Sequence, residues 1–205
     1  MSLFIPTYFS PISQYGMIYQ SEEIQFEVED NFQKQSYRNR CYIYGANGKQ
    51  LLNIPMQHSK SEAKTKSKDI RIEADSLWQK QHYKSLKTAY NSSPFFEFYE
   101  DDLLKIFEKK YSFLLDLTID TFLFINDALD LEKSFFFTQE YLKTVPNDYR
   151  LLANVKSHPS CKSATYIQSF DEKFGFIENL SILDLLFMEG PNSISFLEKV
   201  RVTLR

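Results

Sequence analysis

Apolar and polar positions recur along this chain with two periods, near two residues and near three and a half, and they divide it into short strands and amphipathic helices. The run Leu3-Phe4-Ile5-Pro6-Thr7-Tyr8-Phe9 reads as a strand, and Ser10-Pro11 suits the cap and first position of a helix over 11–20. Such a strand-to-helix junction gathers free backbone N–H groups that favour an anion, although most helix starts hold no ligand. Ile24, Phe26 and Val28 alternate with polar residues as a half-buried strand does. Residues 38–44 and 49–54 flank Gly45-Ala46-Asn47-Gly48, where the Asn-Gly pair predicts a β-hairpin. Asp69 to Ala74 reads as a further strand.

The middle of the chain carries the helical period. Ser76 with Gln79 has the form of a capping box and predicts a helix to about Tyr90. Ser93-Pro94 starts another helix, Asp101 to Asp116 is amphipathic through Leu104, Phe107, Tyr111 and Leu114, and a third helix runs from near Thr118 to Leu129. Ser134 to Thr138 reads as a buried strand and Thr165 to Phe170 as a strand-like segment. Ser181 to Met188 is helical and stops at Glu189-Gly190-Pro191, and a last helix follows Asn192. The polar, Lys/Ser-rich stretch from Gln57 to Lys68 has no period, which predicts a mobile loop. No repeat and no linker divides the 205 residues, so the expected architecture is one mixed α/β domain (α+β in its segregation), with a mixed sheet that includes a hairpin near 38–54.

Composition narrows the function classes. A net charge of −3 lacks the basic face that nucleic-acid binding needs, and charges interrupt every apolar run before membrane-spanning length. The first residues lack the pattern of a secretory signal, and Cys41 and Cys161 make no disulfide framework, so the cytoplasm is the expected compartment. The five glycines form no dinucleotide or P-loop cradle, the three histidines are far apart, and no zinc-ligand spacing occurs. No cofactor and no metal are therefore expected. Ser61-Glu62-Ala63-Lys64 matches a Ser-x-x-Lys nucleophile motif, but in a polar loop where such matches arise by chance. The unusual number is 19 Phe with 13 Tyr, which predicts a thick aromatic core whose hydroxyls need partners.

Three positions could carry chemistry. Strand alternation puts Arg38 and Arg40 on one face with Tyr42 and Tyr44, an arrangement able to clamp a carboxylate, phosphate or charged sugar; the plainer reading is a solvated face or pairing with core carboxylates. His82 shares a helix face with Trp78, Leu86 and Ala89, where it is either a tuned general base or a satisfied core histidine. Asp184 sits among Leu180, Leu183 and Phe187 and needs a partner there, with Arg38 or Arg40 as candidates. Cys41, on the opposite face from the arginines, is expected to be a buried, inert thiol.

Taken in order, Pro6-Thr7-Tyr8-Phe9, Tyr37-Arg38-Asn39-Arg40, Asn47-Gly48, Leu52-Asn53-Ile54-Pro55, Trp78 to His82, Ala89-Tyr90 with Ser93-Pro94-Phe95-Phe96, Tyr166 to Phe170, and Leu180 to Phe187 with Glu189-Gly190 resemble the WbqC-like protein family. The family's start commonly reads Gln-Pro-x-Tyr-Phe-Pro; here Ile5 replaces the Gln. The resemblance implies a transferase, with aminoacyl (glycyl) or acyl transfer to an amino sugar in bacterial surface-polysaccharide biosynthesis as the suggested reaction. On that reading His82 and Asp184 are the catalytic candidates, and Tyr8, Arg38, Asn39 and Arg40 bind a small, sugar-like substrate. The competing reading is a non-enzymatic ligand-binding or scaffold protein, which the lack of any catalytic signature favours.

Overall fold

The computed structural model describes residues 1–57, 65–74, 77–156 and 159–203. Its strands are short and its helices carry the mass of the core. β1 (Ser2–Phe4), α1 (Ile12–Gln20) and β2 (Ile24–Phe26) form a parallel strand–helix–strand unit. The hairpin of β3 (Arg40–Gly45) and β4 (Gly48–Asn53) follows, then three helices: α2 (Trp78–Tyr90), α3 (Phe96–Glu108) and α4 (Leu114–Ala128). The chain returns to the first sheet as β5 (Phe135–Phe137), parallel to β2. It ends with β6 (Ser160–Lys162), α5 (Asp171–Phe174), α6 (Ile182–Glu189), α7 (Ser193–Leu197) and β7 (Arg201–Thr203).

The mixed α/β fold is as the patterning predicts, with its strands distributed over three small sheets: β1-β2-β5, β3-β4 and β6-β7. The first is extended on the far side of β1 by residues 147–149, where Leu3 N donates to Asn147 O and Tyr149 N donates to Leu3 O. Pro6, without an N–H, cannot continue β1, and Phe9 turns into left-handed backbone at φ 40° before α1 begins. The hairpin turn is Ala46-Asn47, with Gly45 paired to Gly48 and Gly48 at φ +93°, the glycine position of a bulged turn.

Elsewhere tertiary contacts override the local pattern. The strand expected at Asp69 to Ala74 is reduced to single bridges of Ile72 with Met56 and Arg71 with Phe113. Thr165 to Phe170 is not a strand either; Tyr166 and Gln168 turn inward to hydrogen-bond side chains. β5 is an edge strand, so Phe136 stands 66% exposed where a buried strand was expected. Ser76, half of the expected capping box, lies outside the described residues, and α2 is described from Trp78.

The core is largely aromatic. Phe4, Phe26, Phe96, Phe187, Tyr8, Tyr15, Tyr44 and Tyr90 are all fully buried. Among the described residues no helix is long and apolar enough to cross a membrane.

Ser181 caps α6 by accepting from Leu183 N, and Gly190 ends it at φ +53°. A Cβ at position 190 would stand 2.5 Å from the Phe95 ring. Gly190→Ala therefore combines backbone strain with overpacking and should cost about 1 kcal/mol or more in urea unfolding. An unchanged midpoint would mean that this end of α6 relaxes freely.

Candidate functional site

Parallel strands end together, and an open parallel sheet leaves its ligand crevice outside their carboxyl ends. Here the chain leaving β1 supplies Ile5, the chain leaving β2 supplies Glu29 to Gln33, and the chain leaving β5 supplies Gln139 to Tyr141. With Arg38, Lys66, Asp148, Arg150, Leu151 and Asn154 they enclose a cleft of about 850 Å³.

Two arginine–carboxylate pairs form its walls. Arg38 is buried; its Nη2 donates to Asp30 Oδ2 at 2.5 Å and its Nη1 to Ser36 Oγ at 3.3 Å. Burial pulls the Arg38 guanidinium below its usual value and Asp30 opposes that pull. Among the described residues, none offers a hydrogen-bond acceptor to the buried Arg38 Nε. Asp30 also accepts from Ser67 Oγ, while Glu29 beside it receives both Lys66 and Lys68. On the other wall Arg150 grips Asp148 through Nε and Nη2, at 2.6 to 3.1 Å, and donates from Nη1 to Leu142 O at 2.7 Å. The Asp148 contact raises the Arg150 guanidinium further.

Glu27 lies beneath both walls. It is wholly buried and accepts from Thr138 Oγ1 and Glu29 N at 2.9 Å and from Leu142 N at 3.2 Å, with Arg150 Nη1 at 3.5 Å. Every one of these partners but Glu29 comes from beyond residue 137. Glu27, Asp30, Asp148 and Arg150 were not among the sequence candidates. No local signal pointed to them: alternation with Phe26 and Val28 puts Glu27 on the solvated face of its strand, and its burial comes from Thr138, Leu142 and Arg150 far along the chain.

The sequence candidates do not converge. Arg38 lies in a turn, with the strand starting only at Arg40, so alternation does not put the two side by side. Arg38 reaches the cleft; Arg40 heads β3 opposite Asn53, half-buried, with a buried Nε that has no partner among the described residues. Asn39 donates to Asn53 Oδ1 at 3.1 Å and Ile54 O at 3.2 Å and braces the hairpin base. Tyr8 and His82 form a buried pair, Oη to Nδ1, at 3.0 Å, and the Asn53 backbone also favours the charged imidazole. Burial lowers His82 to about 4, so it is neutral at neutral pH, with Nδ1 accepting from Tyr8.

Asp184 is fully buried, and its partners are not Arg38 or Arg40. It accepts from Tyr90 Oη and Tyr166 Oη at 2.6 Å and from Gln168 Nε2 at 3.0 Å, and Tyr44 N donates in turn to Tyr90 Oη. Desolvation raises its carboxyl even against these donors. His82 and Tyr90 are eight residues apart on α2, or about 12 Å of helix axis, so His82 and Asp184 occupy separate sites. Neither lines the cleft. Both arrangements are those of groups that hold a core together.

Of the remaining expectations, the Cys41 thiol is buried and pushed up by desolvation. Residues 58–64, with His58 and the Ser-x-x-Lys match, lie outside the described residues, as does His158. The far end of that loop is docked, since Phe32 N donates to Thr65 O and Ser67 N to Asp30 O. Among the described residues no group of three His, Cys, Asp or Glu is placed to hold a metal ion.

The sequence model of the WbqC-like protein family matches residues 6–171. The chain belongs to this family. The match takes in every lining residue of the cleft except Ile5, leaves out β1, and stops before Asp184 and α6. No curated protein and no solved structure matches the chain significantly.

Two outcomes follow for the buried groups. His82 titrates near 6.5 when unfolded and near 4 when folded, so its contribution is present above pH 6.5 and is lost as pH falls through 4. The slope of unfolding free energy between pH 6.5 and 4 should therefore fall in His82→Gln relative to the wild type, by an integrated amount of roughly 3 kcal/mol. Asp184→Leu leaves the hydroxyls of Tyr90 and Tyr166 without the acceptor they share, while the Gln168 amide keeps the Ile177 carbonyl, and should cost about 3 kcal/mol or more; Asp184→Asn, which keeps an acceptor, costs less. Equal melting temperatures for the two variants would remove the structural role of Asp184.

Proposed function

We propose that this protein is a transferase whose substrate is a sugar or a similar polar acceptor, bound in the cleft at the carboxyl ends of β1, β2 and β5. The observation that carries this reading is the lining of the cleft. Charged groups of both signs, Asp30, Asp148, Arg38 and Arg150, stand beside the amides of Asn31, Gln33 and Asn154 and the rings of Phe32 and Tyr141. Hydroxyl-rich ligands are recognised by such sets, in which carboxylates and amides take the hydroxyls and aromatic rings take the apolar face. Asp30 Oδ2, engaged by Arg38 alone, keeps a lone pair for a ligand hydroxyl, while both Asp148 oxygens are held by Arg150. Family membership supports the finer assignment, aminoacyl or acyl transfer to an amino sugar in surface-polysaccharide synthesis.

In this scheme Arg38 and Arg150 hold an anionic or carbonyl oxygen and stabilise charge that develops on it. Asp148, less enclosed than Asp30, is the carboxylate placed to take a proton from the attacking amine or hydroxyl. Arg38 thus keeps the binding role expected of it, while His82, Asp184, Tyr8 and Asn39 support the fold around the cleft. A second reading, ligand binding without turnover, draws on the pairing of every wall arginine with a carboxylate, which leaves no unengaged base among them.

Thermal denaturation of the full chain with UDP-N-acetylglucosamine, acetyl coenzyme A and glycine, singly and in pairs, tests both. A ligand present at a hundred times its dissociation constant stabilises by about 2.7 kcal/mol, so a productive ligand raises the melting temperature measurably. The shift should vanish in Asp148→Ala with the unliganded melting temperature nearly kept. Binding without any change in ligand mass after incubation would favour the second reading, and no shift with any of the three would sink the cleft as a sugar site.

A further inference from the structure

Tyr141 occupies an unusual place in the cleft. It belongs to the exposed stretch that follows β5, and its own side chain is 51% exposed, yet it is not loosely held. The Arg150 guanidinium lies over one face of its ring, 5.1 Å from the centroid. That guanidinium cannot swing, because Asp148 receives Nε and Nη2 and the Leu142 carbonyl receives Nη1. Buried Glu27 closes the arrangement by accepting from Leu142 N and facing Arg150 at 3.5 Å. An exposed segment thus presents an aromatic face whose ordering has been completed before any ligand arrives, and the entropic cost of fixing it does not fall on binding.

From this geometry we infer that the uncovered face of Tyr141 is the stacking platform for the substrate's pyranose ring, with Arg150 backing the ring from behind and Glu27 holding Arg150 in place. The inference rests on the proposed sugar reading and adds which residue sets ring specificity. An aromatic face is electron-rich and attracts positively polarised C–H groups. It selects a pyranose with axial C–H bonds gathered on one side, while the Asp30 and Asp148 oxygens take equatorial hydroxyls at the rim. Tyr141 is a binding residue in this assignment, and Glu27 and Arg150 are positioning residues.

Ligand-observed saturation-transfer NMR on the full chain, with methyl β-N-acetylglucosaminide as one probe and uridine monophosphate as another, gives the test. Saturation should reach H1, H3 and H5 of the sugar, the three axial protons of one face, ahead of the rest. Tyr141→Phe should retain binding, and Tyr141→Leu, which keeps apolar bulk without a ring, should weaken it about tenfold, the usual size of a lost stacking contact. Melting temperatures of both variants should stay near that of the wild type, since the side chain is half in solvent. Equal sugar binding by wild type and Tyr141→Leu would overturn the platform and leave the sugar reading standing. Ring-dependent binding of uridine monophosphate in place of the sugar would also overturn it. No sugar binding by the wild type would overturn both.

Discussion

A carboxylate buried at the end of β2 governs the architecture around the cleft. Glu27 follows directly on the strand and is wholly buried there. An ionised carboxylate in that position is tolerated only if donors surround it. The donors come from Thr138, Leu142 and Arg150, more than a hundred residues later. Satisfying one side chain therefore folds the whole stretch after β5 back over the strand ends, and that stretch is a wall of the cleft.

The same need explains the aromatic composition. Several buried polar groups in this chain are answered by tyrosine hydroxyls: Tyr8 for His82, Tyr15 for Asn126, Tyr90 and Tyr166 for Asp184. A tyrosine brings apolar area and one donor in the same side chain, so it fills core volume and neutralises a polar neighbour together. Asp184 and its donors tie α6, α2 and the segment at 166–168 into one unit, and Ser181 Oγ ties α6 to the Phe9 carbonyl at the start of the chain.

Local signals were readable where local physics decides. Helical periodicity found α2 and α6 and the existence of α3 and α4, although it carried α3 on to Asp116 where the helix ends at Glu108 and α4 opens at Leu114; the Gly at 190 marked a helix end, and Asn47-Gly48 marked the hairpin. The burial of Asp184 followed from its apolar neighbours at helical spacing, although its donors did not. Strand alternation failed at Arg38, because a turn at 34–39 precedes β3 and the period of two starts only at Arg40. The cleft was illegible for a different reason. It is made where β1, β2, β5 and residues 147–149 lie side by side, and nothing in the sequence near Asp30 names Asp148 or Arg150 as neighbours. Pairings that depend on a sheet register across 110 residues leave no spacing to read.

That separation has a consequence for synthesis. β1 and β2 are made within the first 26 residues, but the strand beside β2 begins at 135 and the segment beside β1 at 147. Closing so long a loop is entropically slow, and parallel pairing gives no return until it closes. As the chain leaves the ribosome, the apolar residues of β1 and β2 must wait for more than a hundred further residues, at several per second. The hairpin and the helices α2 to α4, whose contacts are local, are able to form during that wait. β1 and β2, paired with each other, are then among the last strands to be completed, and the interval in which their outer edges stand unpaired is when this chain is most open to association with others of its kind.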